Sequence, residues 1–325
     1  MTVIPWPAGH TPYCTPEQLT QWPTGVAWNT FPPKTGGVAP TPAQQYAVLS
    51  MICLQASQRV DQILNQPLRS VETTEELQGP NYRVTVQNSS GNGRFIAARW
   101  PVTQVISVQV APNSGWPRQW TALPAGNFEP EFPVDGLYGA SVPSGGAGGQ
   151  SILFSPGYIA WGPGWPGAQL AGRQAFRVSA TYISGWPHTC LTAPVSAGAT
   201  TIPVDDCTGW VLTSTTGTPI GAAGVIYDAL GGGQEAVVCT GVSAATGPGT
   251  LTIASALNYA HSAGIAVSAL PSTVIWATAL LAGKAALVRG ATATTIQSTA
   301  GRQQAGMHPL EAEARRLLSS LRRTV

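Results

Sequence analysis

Charge is scarce in this sequence. Only 9% of its 325 residues are Asp, Glu, Lys or Arg, where soluble domains carry about 25%. Lysine is almost missing: Lys34 and Lys284 stand alone, so 14 of the 16 cations are arginine, the side chain suited to fixed, bidentate contacts. With a net charge of +2 the chain lacks the basic excess of a nucleic-acid-binding domain. Paired cysteines are lacking too. Cys14, Cys53, Cys190, Cys207 and Cys239 are odd in number and widely spaced, without a C-x-x-C pair, which disfavours a disulfide framework or a zinc knuckle. The best apolar run, near 274–288, is broken by Thr278, Gly283 and Lys284 and is too short to span a bilayer. The N-terminus has neither the basic start nor the apolar run of a secretory signal, so the expectation is a soluble protein made inside a cell, with no membrane partner.

What is abundant is glycine and proline, 37 and 28 residues, one position in five. Long helices therefore cannot dominate, yet 43% hydrophobic content with 11 tryptophans is too apolar for a disordered chain. The expectation is a foldable chain of about two domains, its few exposed charges suiting a surface covered by partners.

Two helix starts share one grammar. Thr15-Pro-Glu-Gln18 and Thr41-Pro-Ala-Gln44 each offer a threonine cap, a proline in the first turn and a glutamine to complete a capping box. Helices are expected over about 15–22 and 42–66. The second carries the stripe Tyr46, Leu49, Cys53, Ala56, Val60 and Ile63 and ends at Pro67. Its polar side holds Gln44, Gln45, Gln55, Gln58 and Gln62, uncharged groups that suit an interface as well as water. Residues 82–111 switch to a two-residue period and read as strands. Residues 112–172 read as long Gly/Pro/Trp-rich loops. Six tryptophans precede proline (Trp6, Trp22, Trp100, Trp116, Trp165 and Trp186), which biases them to extended backbone and to ring packing. From 188 to 270, β-prone runs recur at 201–204, 224–227, 236–242, 249–253 and 265–270, predicting a small all-β module. A helix follows from Pro271 to Gly290, then a polar arm over 291–305, then a last helix from Pro309 with Leu310, Ala314, Leu317, Leu318 and Leu321 on one face. The predicted class is α+β: a small helical core with β-hairpins, an inserted all-β module and long loops, divided at 1–187, 188–270 and 271–325.

Catalytic patterns are weak throughout. Gly162-Pro-Gly-Trp-Pro-Gly167 matches G-x-G-x-x-G, but its prolines remove the amides that cradle phosphate and no helix pattern follows. Asp205-Asp206 reads as a turn cap rather than a calcium loop. His188-Thr-Cys190 is a lone pair of ligand types, and His10, His188, His261 and His308 stand far apart in sequence. No enzyme activity, cofactor or metal is expected. The segment 289–325 holds six arginines against Glu311 and Glu313, so it carries +4 and the remainder −2. Those arginines read either as a solvated face near a helix C-terminus or as a docking helix for acidic groups or phosphate. Trp161, Trp165 or Trp210 could stack a sugar, or simply pack.

The order of four pieces carries a resemblance. Tyr13-Cys-Thr-Pro-Glu17, then Ala56-Ser57-x-Arg59-Val60-Asp61, then Arg99-Trp-Pro-Val102 with Val105-Ile-Ser-Val108, then Val178-Ser-Ala-Thr-Tyr-Ile-Ser-Gly-Trp-Pro187 together resemble the head-to-tail adaptor (connector) proteins of tailed bacteriophages, over about 60% of the chain in pieces. The resemblance implies a non-enzymatic ring homo-oligomer of twelve copies in the virion neck, assembled in the host cytoplasm. It would bind the portal protein on one side and a head-tail stopper or another neck or tail protein on the other. Genomic double-stranded DNA would cross its lumen without sequence-specific binding. Under it, Arg302, Arg315, Arg316, Leu317, Leu321, Arg322 and Arg323 are expected to dock on the portal, and Gln45, Gln55, Gln58, Arg59 and Gln62 to lie between subunits. The long loops at 112–172 and the module at 188–270 depart from the short family members. The other reading is a different tail or neck component whose β module binds a host surface or glycan. A secreted carbohydrate-active enzyme would need paired carboxylates in a cleft.

Overall fold

Two threonine-proline pairs start the first two helices of the computed structural model, which describes residues 11–22, 24–32, 38–79, 81–86, 93–112, 117–130, 151–155, 176–213, 219–228, 233–291 and 308–321. Helix α1 is Pro16–Gln21 and α2 is Pro42–Leu64. Both capping boxes close, with the Thr15 and Thr41 amides donating to the Gln18 and Gln44 side chains at 2.8 and 2.9 Å. Asn65, in the left-handed region at φ 56°, ends α2 two residues before Pro67. Helix α3 is Ser272–Val288 and α4 is Pro309–Leu318, capped by His308. Apolar residues cover most of α3, and it is accordingly buried on most sides. Its small residues Ala279, Ala282, Gly283 and Ala286 let α2 and α4 pack closely; a Cβ on Gly283 would lie 3.3 Å from Leu310 Cδ1.

The strands form three principal sheets, all antiparallel, so the chain is an α+β protein. The first has the order Val71–Gly79, Phe176–Ser184, Val102–Pro112, Thr121–Ala122. The second has the order Val84–Val86, Gly93–Ile96, Ser151–Phe154, Phe128–Pro130. Side chains from both meet in one core around Phe95, Ile152, Phe154, Val178 and Tyr182. The third sheet has six strands in the order Thr201–Val204, Gly249–Ile253, Gly233–Val242, Ala223–Asp228, Ala266–Ser268, His188–Cys190. A hairpin of Val211–Thr213 and Pro219–Gly221 lies beside it. One continuous apolar core joins this sheet to all four helices, from Leu19, Ile52 and Val60 through Leu281 and Leu318 to Leu191, Ile202 and Leu251. Each such side chain, once buried, contributes about 1.5–3 kcal/mol. The residues expected as an inserted β module thus share their packing with the helices.

Several strand boundaries differ from the sequence reading. Val71–Gly79 has no apolar alternation because its inward positions include Thr73 and Glu75; Glu75 accepts from the Ala98 amide at 2.7 Å and from Arg83 and Tyr182. Tyr82 is 81% exposed and lies outside the Val84–Val86 strand. Within the stretch 82–111 expected as strands, the strand that starts at Gly93 stops at Ile96, since Glu75 takes the Ala98 amide and Gln66 binds both the amide and the carbonyl of Trp100, at 3.0 and 2.9 Å.

Candidate interaction site

The four pieces of sequence singled out above converge on one junction. The Tyr13 hydroxyl donates to Asp61 Oδ1 at 2.6 Å and accepts from the Leu68 amide at 2.9 Å, while the Tyr13 amide donates to Ser57 Oγ at 2.9 Å. Ser57 and Asp61 lie one turn apart on α2, so this face of the helix holds the N-terminal segment. The chain after α2 is then tied to the Gly-Trp-Pro element: Ser70 N to Trp186 O and Trp186 N to Leu68 O, both at 2.8 Å. Gly185 N donates to Pro101 O at 2.8 Å, and the Trp100 and Trp186 rings meet edge-on at 5.6 Å. Burial pushes the Asp61 carboxyl up to about 6, against the Tyr13 hydrogen bond that works the other way. Burial and the adjacent Asp61 likewise raise the Tyr13 phenol. Tyr13→Phe removes a bond to a charged acceptor and the acceptor of the Leu68 amide, and is expected to lower unfolding free energy by about 2 kcal/mol, measured by urea denaturation.

A second constellation sits where α2, α3 and α4 meet. Glu311, in the first turn of α4 and 8% exposed at its side chain, receives Arg59 of α2 at 3.1 Å, Arg315 of α4 at 2.9 Å, and Lys284 of α3. The Lys284 hydrogen bond, then those of Arg315 and Arg59, hold its carboxyl at about 2 although burial opposes them. Beside it runs a groove of about 360 Å³ lined by Gln55, Ala56, Arg59, Lys284, Val288 and Arg289 among others. Arg289 donates to Gln55 Oε1 at 2.9 Å. With the three cations Arg59, Lys284 and Arg289 in its lining against the single carboxylate of Glu311, this groove is positive, a seat for an anionic group.

Among the expected inter-subunit residues, Gln58 and Gln62 lie on the exposed side of α2, and Arg59 bridges Gln62 and Glu311. Gln45 is committed internally, its amide donating to the carbonyls of Trp28 and Phe31, both at 2.8 Å. Among the expected docking residues, Leu321 is buried and Leu317 packs on the chain's own core, because the apolar stripe of α4 is spent on α3. Arg315 pairs with Glu311, and the exposed Arg316 with Glu313 at 2.6 Å. Arg302, Arg322 and Arg323 lie outside the described residues. Lys284 and Glu311 were not singled out from sequence; the signals were a lone cation in an apolar helix and the i,i+4 pair Glu311/Arg315.

Elsewhere the polar groups serve the fold. His188 is buried between Pro12 O, 2.9 Å from Nε2, and Ser268 Oγ, 2.8 Å from Nδ1; burial lowers it to about 4. The carbonyl can only accept, so Nε2 carries the proton. Burial, with Asp205 nearby, pushes the Cys190 thiol up to about 12. Asp205 accepts from Thr189 and from the Cys190 amide, and Asp206 caps a turn at Thr208, matching the turn-cap reading. His261 lies between Asp228 and Glu235 at 3.1 and 3.3 Å, with the carboxylates on different ring nitrogens rather than converging on a point. No metal-holding group of three such residues occurs among the described residues, and all five cysteines are buried. Trp210 is fully buried, which removes it as a sugar-stacking surface; Trp161, Trp165, His10 and the Gly162–Gly167 motif lie outside the described residues.

No protein family, curated protein or solved structure matches the chain. No helix among its described residues is long and apolar enough to cross a membrane. What the site offers chemically is binding: a positive groove, and an α2 flank where Ala47, Met51, Gln55, Gln58 and Gln62 are exposed, with Arg59 beside it.

Proposed function

We propose that this chain is a structural, non-enzymatic head-to-tail adaptor of a tailed bacteriophage. Twelve copies form a ring in the virion neck, with the portal above, a stopper or other neck or tail protein below, and genomic DNA crossing the lumen. The observation that carries this reading is the junction of Tyr13, Ser57, Asp61, Trp100, Gly185 and Trp186. The pieces whose order resembles the adaptor family are distant in sequence, yet they bind one another.

In this reading residues 1–187 and 271–325 form the adaptor core, and 188–270 is an insertion. The ends of that segment support it: His188–Cys190 pairs with Ala266–Ser268, and Ala269 N donates to Pro187 O at 2.9 Å, so the chain leaves and returns at one place. The uncharged flank of α2 suits burial against a neighbouring copy in a closed ring. The positive groove, with Arg315, Arg316 and the C-terminal Arg322 and Arg323, suits acidic groups of the portal. A lumen sparse in charge would let DNA pass without tight phosphate binding.

The test is the mass of the assembly formed by the full chain, alone or with the portal protein of its phage. The expected result is a ring near twelve times 33.6 kDa, and replacing the exposed Arg316 together with Arg322 and Arg323 by Glu, which leaves the core side chains of α4 in place, is expected to abolish portal binding. A chain that stays monomeric in both conditions overturns the reading. Glycan binding by such a monomer would favour the other tail or neck component.

A further inference from the structure

The groove between α2 and α3 sets charge and apolar surface side by side. Ala56 and Leu281, both buried, form its floor, and Ala285 and Val288 its rim, Val288 being 77% exposed. Glu311 closes one end with both carboxylate oxygens taken, Oε1 by Arg59 and Arg315 and Oε2 by Lys284. At the other end the exposed Arg289 donates to Gln55 Oε1 at 2.9 Å.

The spacing of the two arginines fits a helical partner. Gln55 and Arg59 are four residues apart on α2, one turn or about 6 Å of rise. Arg289 is held at Gln55, so its guanidinium stands about one turn along α2 from that of Arg59. Carboxylates at positions i and i+4 of another helix have the same separation, and guanidinium groups suit carboxylates. A helix laid along the groove in that register turns its i+3 side chain toward the apolar floor.

Two other occupants fit less well. The chain's own segment from Gly290 to Pro309 contains neither Asp nor Glu, so it offers the arginines no counter-charge. A nucleic-acid backbone matches the cations through its phosphates, but those phosphates leave Ala56, Ala285 and Val288 without an apolar partner.

We propose that this groove docks an acidic amphipathic helix of a partner protein, with two carboxylates one turn apart on Arg59 and Arg289 and an aliphatic side chain between them over Ala56, Ala285 and Val288. This names the chemistry of the portal segment and rests on the portal-docking reading above.

The experiment is fluorescence anisotropy of a labelled, end-capped, alanine-based helical peptide carrying Glu-x-x-Leu-Glu, titrated with the full chain and with full-length R289E and V288S. The wild type is expected to bind with a Kd of about 1 mM or tighter, more weakly as salt rises. R289E is expected to weaken binding at least about tenfold and V288S about fivefold. Both positions are exposed, so both variants are expected to melt with the wild type. A peptide with Gln in place of both Glu residues is expected to lose binding to the wild type. Failure of the wild type to bind the peptide, or binding by R289E and V288S at wild-type strength, overturns this inference and leaves the ring reading, tested by mass, standing. A short DNA duplex that displaces the peptide and binds V288S as well as it binds the wild type, but not R289E, also overturns it, in favour of phosphate. A wild type that neither assembles nor binds the peptide overturns both.

Discussion

Gly185→Ala is expected to destabilise the protein by about 3–5 kcal/mol, the larger part of the stability of an ordinary domain. Gly185 follows the Phe176–Ser184 strand at φ +96°, where a side chain is strained whatever space surrounds it. Space is also lacking: a Cβ would lie 2.6 Å from the Leu68 carbonyl oxygen and closer still to that of Arg69. Both clashes are with backbone, which cannot swing aside as a flexible side chain would. Relief requires parting the 68–70 segment from 185–186, with loss of the Trp186 N to Leu68 O and Ser70 N to Trp186 O bonds. A urea titration followed by tryptophan fluorescence reads the effect as a lowered midpoint. An unchanged midpoint would mean that the junction does not hold the fold together.

The second large effect lies at Glu311. Glu311→Ala leaves Arg59, Lys284 and Arg315 facing one another and is expected to cost about 2 kcal/mol. The figure is kept modest because the three cations are 45%, 33% and 37% exposed and water screens them. The pH dependence is more diagnostic. The Glu311 carboxyl is held at about 2 against an ordinary 4.5, so its stabilisation is present above 4.5 and lost as pH falls toward 2. His188, lowered by burial from 6.5 to about 4, contributes stability that is lost as pH falls between those values. Asp61 has the opposite sign: raised by burial from 3.8 to about 6, it favours the folded state as pH falls through that window. The His188 and Asp61 windows nearly coincide and offset each other. The urea midpoint is therefore expected to change little between about pH 6.5 and 4.5 and to fall steeply below. In Glu311→Gln the steep limb should flatten while the upper region stays as in the wild type.

Much of the fold was legible where the signal is local. The two capping boxes, the stripe of α2 and the Gly249–Ile253 strand follow from neighbours within a few residues, and each forms where expected. Val71–Gly79 was illegible because its inward face carries Thr73 and Glu75, and the partners of Glu75, Tyr182, Arg83 and Ala98, arrive from other strands and turns. The stripe of α4 was legible as an apolar face, but not what it faces. Leu310, Ala314 and Leu318 pack within the chain, leaving arginines as the outward contacts of the described part of that helix.

By itself, then, the sequence determined the kinds of element, most of their ends and the low-charge surface, because capping, periodicity and turn chemistry act over three or four residues. The tertiary structure alone decided which of those elements meet. Arg59 and Glu311 are 252 positions apart and Tyr13 and Asp61 are 48. Hydrogen bonds and ion pairs form between groups that the packed core brings within about 3 Å of each other, a distance that no local pattern encodes.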